Sequence, residues 1–385
     1  MSLRKIATVG LLAAALAAAD KRVVFPQGAK PVGPYSPGIL AGGFLYVSGQ
    51  GARDNAGRMP ETFQAQARQC LANVKSVLEA AGLTMEHVVY SHVYLSDLAH
   101  QAALEDLWRE YFPARSPARA VVGVARMPTD TPIEINAVAV ETLQAKRWIA
   151  EGIVEAHGRV FVGEQLGSGP SAVREALDSL AGALARAGLD FRHLVFVNPY
   201  LTPAVSLDEM NRLYASRFEF GNTPARATIR VTELPRGASV SFTGVAVRDL
   251  AARRAVRPKN MPPSPTASPC VFAGETLYCS AKSGFIPGPN GGIFAAEVEL
   301  QVRQVMRNLL DGLEESGLDF SHVVAANVYL DDINDFAKMN RIYALYFKEA
   351  PPARTTVQPL PPVERKPDAE GRWPKLVEIS LIAVK

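Results

Sequence analysis

"AAGLTMEHVVYSHVYL" (residues 80–95) decides how this chain is read, because it occurs three times. "RAGLDFRHLVFVNPYL" (186–201) and "ESGLDFSHVVAANVYL" (315–330) keep Gly-Leu-x-(Met/Phe)-x-His, an apolar pair and a closing Tyr-Leu. The offsets from the first copy are 106 and 235 residues. Repetition at a fixed offset points to a repeated structural unit. Upstream, Ala67, Leu71, Val74 and Leu78 map onto Val173, Leu177, Leu180 and Leu184, and onto Val302, Met306, Leu309 and Leu313. Spacings of four, three and four make one apolar helix face. Gly82, Gly188 and Gly317 then stand where a helix wants a left-handed C-terminal residue.

Working outward, "HVVYSHVYL" and its counterparts read as a strand, rich in β-branched and aromatic residues. Glu105 and Trp108 map to Asn211 and Tyr214, and to Asn340 and Tyr343, on a second helix. "FLYVSGQ" (44–50), "RVFVGEQ" (159–165) and "TLYCSAK" (276–282) read as strands ahead of the first helix. "TPIEINAVAV", "ASVSFTGVAV" and "KLVEISLIAV" read as the last strand of each unit. Each unit is therefore about β-β-α-β-α-β-β. This predicts an α+β fold of three tandem two-layer domains, each a mixed sheet with two helices on one face. The expected bounds are 24–145, 146–250 and 265–385, with "AARRAVRPKNMPPSPTASP" from Ala251 supplying a Pro-rich linker over 251–264.

Composition narrows the function classes. The 385 residues are 48% hydrophobic and 21% charged, as in globular domains. Net charge is +3 without a Lys/Arg block in the folded part, which argues against a nucleic-acid surface built on clustered cations. Cys70, Cys270 and Cys279 form neither an even set nor a CxxC pair, so neither a disulfide framework nor a zinc site is expected. Cys70 reads as a small buried hydrophobe. The six His show no HExxH spacing, and no dinucleotide or phosphate-loop glycine motif is present, so no metal or cofactor is expected. His87, His193 and His322 repeat without a repeated acid partner and read as turn or strand-entry residues.

The first nineteen residues stand apart. "MSLRK" is basic, "IATVGLLAAALAAA" is an apolar run of fourteen, and small residues precede Asp20. That is the three-part pattern of a secretory signal peptide, too short to span a bilayer comfortably. The expectation is a periplasmic or secreted protein with no membrane segment after cleavage. A terminal helix in a cytoplasmic protein is the alternative.

The unit resembles a known family, the Rid proteins or reactive intermediate deaminases (RidA), also labelled endoribonuclease L-PSP. "GPYSPG" from Gly33, "VSGQ" from Val47, "PARA" from Pro117 and "IEINAVAV" from Ile133 carry the resemblance in the first unit. "PARATI" from Pro224 and "PARTTV" from Pro352 echo it in the others. The resemblance implies a chorismate-mutase-like fold and a single-chain pseudo-trimer, since family members are usually trimers with a site in each cleft between subunits. It implies hydrolysis of enamines and imines of 2-oxo acids, with release of ammonia. A guanidinium fork matches a substrate carboxylate, and such a charge-assisted pair contributes on the order of 1.5–3 kcal/mol. One carboxyl group can shuttle the protons through water.

Carried over residue by residue, the resemblance places Arg119, Glu134 and Tyr35 in the catalytic set, with Arg354 and Glu378 their third-unit counterparts. Arg119, Arg354, Arg226, Ser48 and Gly49 bind substrate, Gly49 through its backbone N–H. Taken singly, such an Arg is often a surface ion-pair partner and such a Glu a solvent-facing strand residue. Recurrence favours placement. Fifteen residues separate Arg119 from Glu134 and twenty-four separate Arg354 from Glu378, the extra nine falling around "VERKPDAEGRWP".

The departures are specific. The second unit has Ser241 where Glu134 stands, lacks "GPYS" and reads "VGEQ" for "VSGQ". The third has Ala267 for Tyr35 and "CSAK" for "VSGQ". The second unit is expected to be a scaffold, and which cleft Tyr35 completes is left open. Three readings follow: a deaminase with one or two working clefts, a non-catalytic binder of small carboxylates, and an endoribonuclease. The partner expected is a small carboxylate, with no nucleic acid.

Overall fold

Each copy of Gly-Leu-x-(Met/Phe)-x-His closes a long helix and opens a strand. The computed structural model describes residues 21–288 and 291–385, so the expected signal segment at 1–19 lies outside the described residues. The first unit runs β1 (Arg22–Val24), β2 (Gly38–Ala41), β3 (Phe44–Gln50), α1 (Phe63–Ala80), β4 (Val88–Leu95), α2 (Gln101–Tyr111), β5 (Ala118–Gly123) and β6 (Ile133–Val140). The second runs β7 (Lys146–Ala150), β8 (Ile153–Ala156), β9 (Arg159–Gly167), α3 (Ala172–Arg186), β10 (Leu194–Leu201), α4 (Leu207–Ala215), β11 (Ala225–Arg226), β12 (Ile229–Arg230) and β13 (Val240–Val247). The third runs β14 (Arg253–Val256), β15 (Cys270–Ala273), β16 (Thr276–Ser283), α5 (Val298–Glu315), β17 (Val323–Leu330), α6 (Phe336–Tyr343), β18 (Ala353–Val357) and β19 (Val377–Val384).

The three sheets share one order. They run β1-β2-β3-β6-β4-β5, β7-β8-β9-β13-β10-β11 and β14-β15-β16-β19-β17-β18, with β12 also paired to β10. The pairing at one end of each sheet is parallel, β4 with β5, β10 with both β11 and β12, and β17 with β18, and the rest are antiparallel, so each sheet is mixed. Each unit gains an outer edge strand that periodicity did not suggest. In the third unit that strand is β14, inside the stretch expected as a linker, and it pairs with β15.

Local chemistry explains the boundaries. Gly82, Gly188 and Gly317 take φ of 79°, 71° and 77°, the left-handed geometry that stops a helix. His87 Nδ1 accepts from the Thr84 N–H at 3.1 Å, and His193 and His322 accept from Asp190 and Asp319 in the same way. The repeated histidines are therefore turn residues.

Each sheet is buried on both faces. Helices α1, α3 and α5 lay their expected apolar faces on one side. The other side joins a core shared by all three units, with Tyr46, Tyr94, Phe161, Tyr200, Tyr278 and Tyr329 among its members. Double burial is why β4 and β10 read as near-continuous apolar runs instead of alternating ones. Around this core, β5 lies against β9, β11 against β16, and β18 against β3. Every unit thus meets both others.

The structure corrects one expectation about cysteine. Cys270 and Cys279 are directly paired across β15 and β16 and form a disulfide. Spacing alone could not show this, because the nine-residue separation becomes adjacency only through the hairpin. Cys70 is buried and free, with Sγ 2.9 Å from the Gln50 carbonyl.

Candidate active site

The cleft between the first and third units is built on an irregular strand. Val47 pairs with Ala137 and Gln50 with Ile135, so Ser48 and Gly49 together oppose Asn136 in a β-bulge. The bulge takes Gly49 out of the ladder with β6. A Cβ added to Gly49 would lie 2.0 Å from Glu134 Oε1, so only glycine leaves room for that carboxyl group. Ser48 Oγ donates to the Ser36 carbonyl at 2.6 Å and accepts from the Arg354 N–H at 2.8 Å, stitching β3 to β18.

The stitch presents Arg354 of the third unit to Glu134, Tyr35 and Gly49 of the first. Together with Phe336 and Thr356 they line a cavity of about 390 Å³. The guanidinium carbon of Arg354 is 5.2, 5.3 and 5.0 Å from the ring centres of Tyr35, Phe336 and Tyr343. Arg354 is 4% exposed, and its Nη2 finds no hydrogen-bond partner among the described residues. Its Nη1 meets only Met339 Sδ, at 3.9 Å. Burial depresses its pKa, and neighbouring Tyr343, Tyr35 and Glu134 act weakly the other way. Glu134 is 5% exposed, and burial pushes its pKa up to about 8, against the Thr356 backbone N–H and the Arg354 charge. At neutral pH it is a carboxylic acid beside a buried cation.

The other two clefts have the same frame and different contents. Between the first and second units, Arg119 donates to Glu105 at 2.5 Å and stacks on Trp108. Glu164, at the place of Gly49, points in and accepts from the Val121 N–H at 3.0 Å. Arg119 Nη1 lacks a hydrogen bond, but Glu105 pairs with Nη2, and Glu164, its pKa raised by burial, lies near the same charge. Between the second and third units, the Arg226 N–H donates to Ser280 Oγ at 2.8 Å and its guanidinium to Asn211 Oδ1 at 2.8 Å. Ala281 replaces Gly49 there, and Glu378 turns to Lys375 at 2.6 Å.

Three segments of the chain, 26–141, 155–248 and 260–385, match the family described as Endoribonuclease L-PSP. The chain belongs to that family. Single-unit relatives align with about a third of it. A RutC family protein of Pyrococcus horikoshii is 43% identical over 122 residues, 31% of this chain and 97% of its own. A RutC family protein of Aquifex aeolicus is 37% identical over 124 residues, 31% of this chain and 99% of its own. Among solved structures, the YjgF gene product of E. coli is 37% identical and covers 31% of this chain and 99% of its own, with a TM-score of 0.30.

In this Endoribonuclease L-PSP chain the residues expected to act together are split. Tyr35, Glu134 and Gly49 do meet, but their arginine is Arg354, not Arg119. The reason is topological: the strand carrying each arginine ends its own sheet and faces the next unit. Arg119, Arg226 and Glu378 lie in the other clefts, each held by a protein partner. Ser48 joins β3 to β18, its hydroxyl donating to the Ser36 carbonyl and accepting from the Arg354 N–H. Glu105 and Glu164 were missed. Their signal was visible, since Glu105 aligns with Asn211 and Asn340, and Glu164 aligns with Gly49.

Proposed function

We propose that the chain hydrolyses enamines and imines of 2-oxo acids at one working cleft, between the first and third units of a single-chain pseudo-trimer. The observation that carries this reading is Arg354, a buried cation without a carboxylate partner among the described residues, facing a carboxyl group held neutral. A substrate carboxylate supplies the missing charge, through Arg354 and the Gly49 N–H. Glu134, protonated at pH 7, donates to the β-carbon of the enamine and leaves an iminium at C2. The resulting carboxylate then takes a proton from the water that attacks C2. It passes that proton to nitrogen, and the C–N bond breaks as the hydroxyl proton returns to Glu134. One water is consumed, and ammonia and the 2-oxo acid leave with no redox change.

The test is ammonia release from imines generated by an amino-acid oxidase. Added protein should accelerate it, and Arg354→Ala should remove the acceleration while Arg119→Ala spares it. No acceleration across several amino acids would sink the reading. The altered contents of the other two clefts favour one rival, a non-catalytic carboxylate binder, which predicts thermal stabilisation by 2-oxo acids without turnover. The Cys270–Cys279 disulfide supports placing the protein in an oxidising, exported compartment.

A further inference from the structure

Beside the cavity, a line of buried polar side chains joins the first unit to the third, with Asn136 on the same face of β6 as Glu134. Asn136 Nδ2 donates to Thr355 Oγ1 at 2.9 Å, across the interface between the first and third units. Asn136 Oδ1 accepts from the His92 N–H at 3.0 Å and lies 3.3 Å from His92 Nδ1. Since that oxygen is an acceptor, Nδ1 carries the imidazole proton. His92 Nε2 is then free to accept from Tyr90 Oη, 3.0 Å away. Thr243 of the second unit lies beside Tyr90. His92, Asn136, Thr355 and Thr243 are each less than 9% exposed.

The line has a single polarity. Tyr90 donates to His92, His92 to Asn136 and Asn136 to Thr355. Burial keeps His92 neutral, with its pKa lowered to about 4, which this polarity requires. Asn136 is two residues from Glu134 and opposes the bulge at Ser48 and Gly49. Thr355 lies between Arg354 and Thr356, whose backbone N–H bonds Glu134. The Asn136–Thr355 bond therefore ties the strand of the acid to the strand of the guanidinium.

The other clefts lack this tie. At the place of Thr355 they have Ala120 and Ala227, and at the place of Asn136 they have Thr243 and Ser380. Tyr90 is replaced by Phe196 and Ala325, and His92 by Asn198 and Asn327. An alanine cannot accept the bond, so the tie exists only where Arg354 is unneutralised and Glu134 is present.

We propose that Asn136 and Thr355 are positioning residues: their bond sets the separation of Arg354 from Glu134, and the Tyr90–His92 line fixes the direction in which the Asn136 amide points. The turnover part of this proposal rests on the reading of the cleft as an imine-hydrolysing site. Misplacement of reacting groups by about 1 Å costs on the order of a hundredfold in rate, so the tie lies within reach of kinetics.

Two substitutions at one position separate hydrogen bonding from packing. Thr355→Val keeps the volume and removes the acceptor, while Thr355→Ser keeps the acceptor and removes a methyl. In oxidase-coupled ammonia release, Thr355→Val should lower kcat/KM about ten- to a hundredfold and raise KM, and Thr355→Ser should rescue most of it. Asn136→Thr, the residue of the second unit, should match Thr355→Val, and the double variant should be no worse than either. The reverse pattern, with Val active and Ser impaired, assigns the position to packing and overturns the proposal.

Binding of pyruvate by calorimetry and crystal structures of both Thr355 variants stand apart from turnover. A wild-type protein without hydrolysis defeats the catalytic reading and leaves the tie to be decided by these two measurements. Weaker pyruvate binding with a displaced Arg354 in Thr355→Val, and neither in Thr355→Ser, upholds it. An unchanged separation of Arg354 from Glu134 in Thr355→Val overturns it.

Discussion

Replacing Gly49 by alanine isolates the acid from the rest of the cleft. The added Cβ would stand 2.0 Å from Glu134 Oε1 and 2.7 Å from its carboxyl carbon. Ordinary carbon contacts lie near roughly 3.5–4.0 Å, so the overlap is about 1.5 Å and the carboxyl group must swing aside. The chain already contains this experiment, because Ala281 holds the equivalent place in the third unit and Glu378 there turns to Lys375. Gly49 lies outside the left-handed backbone region, so the substitution acts through the side chain and not through φ strain. Crowding of this kind costs about 1–3 kcal/mol of stability. Loss of a positioned acid costs on the order of 10²–10⁴ in rate. Steady-state ammonia release should therefore fall at least a hundredfold in Gly49→Ala, while pyruvate binding, held by Arg354, weakens little. A Gly49→Ala protein with wild-type kcat would refute the assignment of Glu134 as the proton relay.

Arg354→Gln should abolish carboxylate binding and turnover, whereas Arg119→Gln should leave both intact and lower the melting temperature, since Glu105 and Glu164 lose their cation; thermal melts and kinetics read the two apart. The pH profile has a defined sign. Glu134 is protonated below about 8, so a rate that needs the neutral acid should fall as pH rises through about 8. Because its folded pKa is raised, the stability that Glu134 contributes is full at low pH and declines between about 4.5 and about 8. Glu134→Gln should flatten that slope in urea midpoints measured across pH. The cleft between the first and second units can be rebuilt: Glu105→Asn, Glu164→Gly and Ser241→Glu together should restore a site, detected as ammonia release that survives Arg354→Gln.

Much of this molecule was legible in its residues. The repeat, the helix faces, the left-handed glycines and the succession of helices and strands along each unit follow from local periodicity, which acts over a few residues and leaves its record in the chain. The turn role of His87, His193 and His322 followed for the same reason. The edge strand β14 was not legible, because an edge strand pairs on one side only and carries a weak pattern. The Cys270–Cys279 pairing was hidden by a hairpin register.

The identity of the site shows the division most clearly. The family resemblance, carried by short motifs along the chain, named Tyr35, Glu134, Gly49 and a repeated arginine as the chemistry, because such motifs are local. It could not say which arginine. That depended on β18 of the third unit lying against β3 of the first, a contact across some three hundred residues. Whether each arginine is free or neutralised depended on one helix residue and one bulge residue brought beside it, Glu105 and Glu164 at Arg119, Asn340 and Gly49 at Arg354. Charge compensation is a matter of a few ångströms in space, and only the packing of three units around one core decides it.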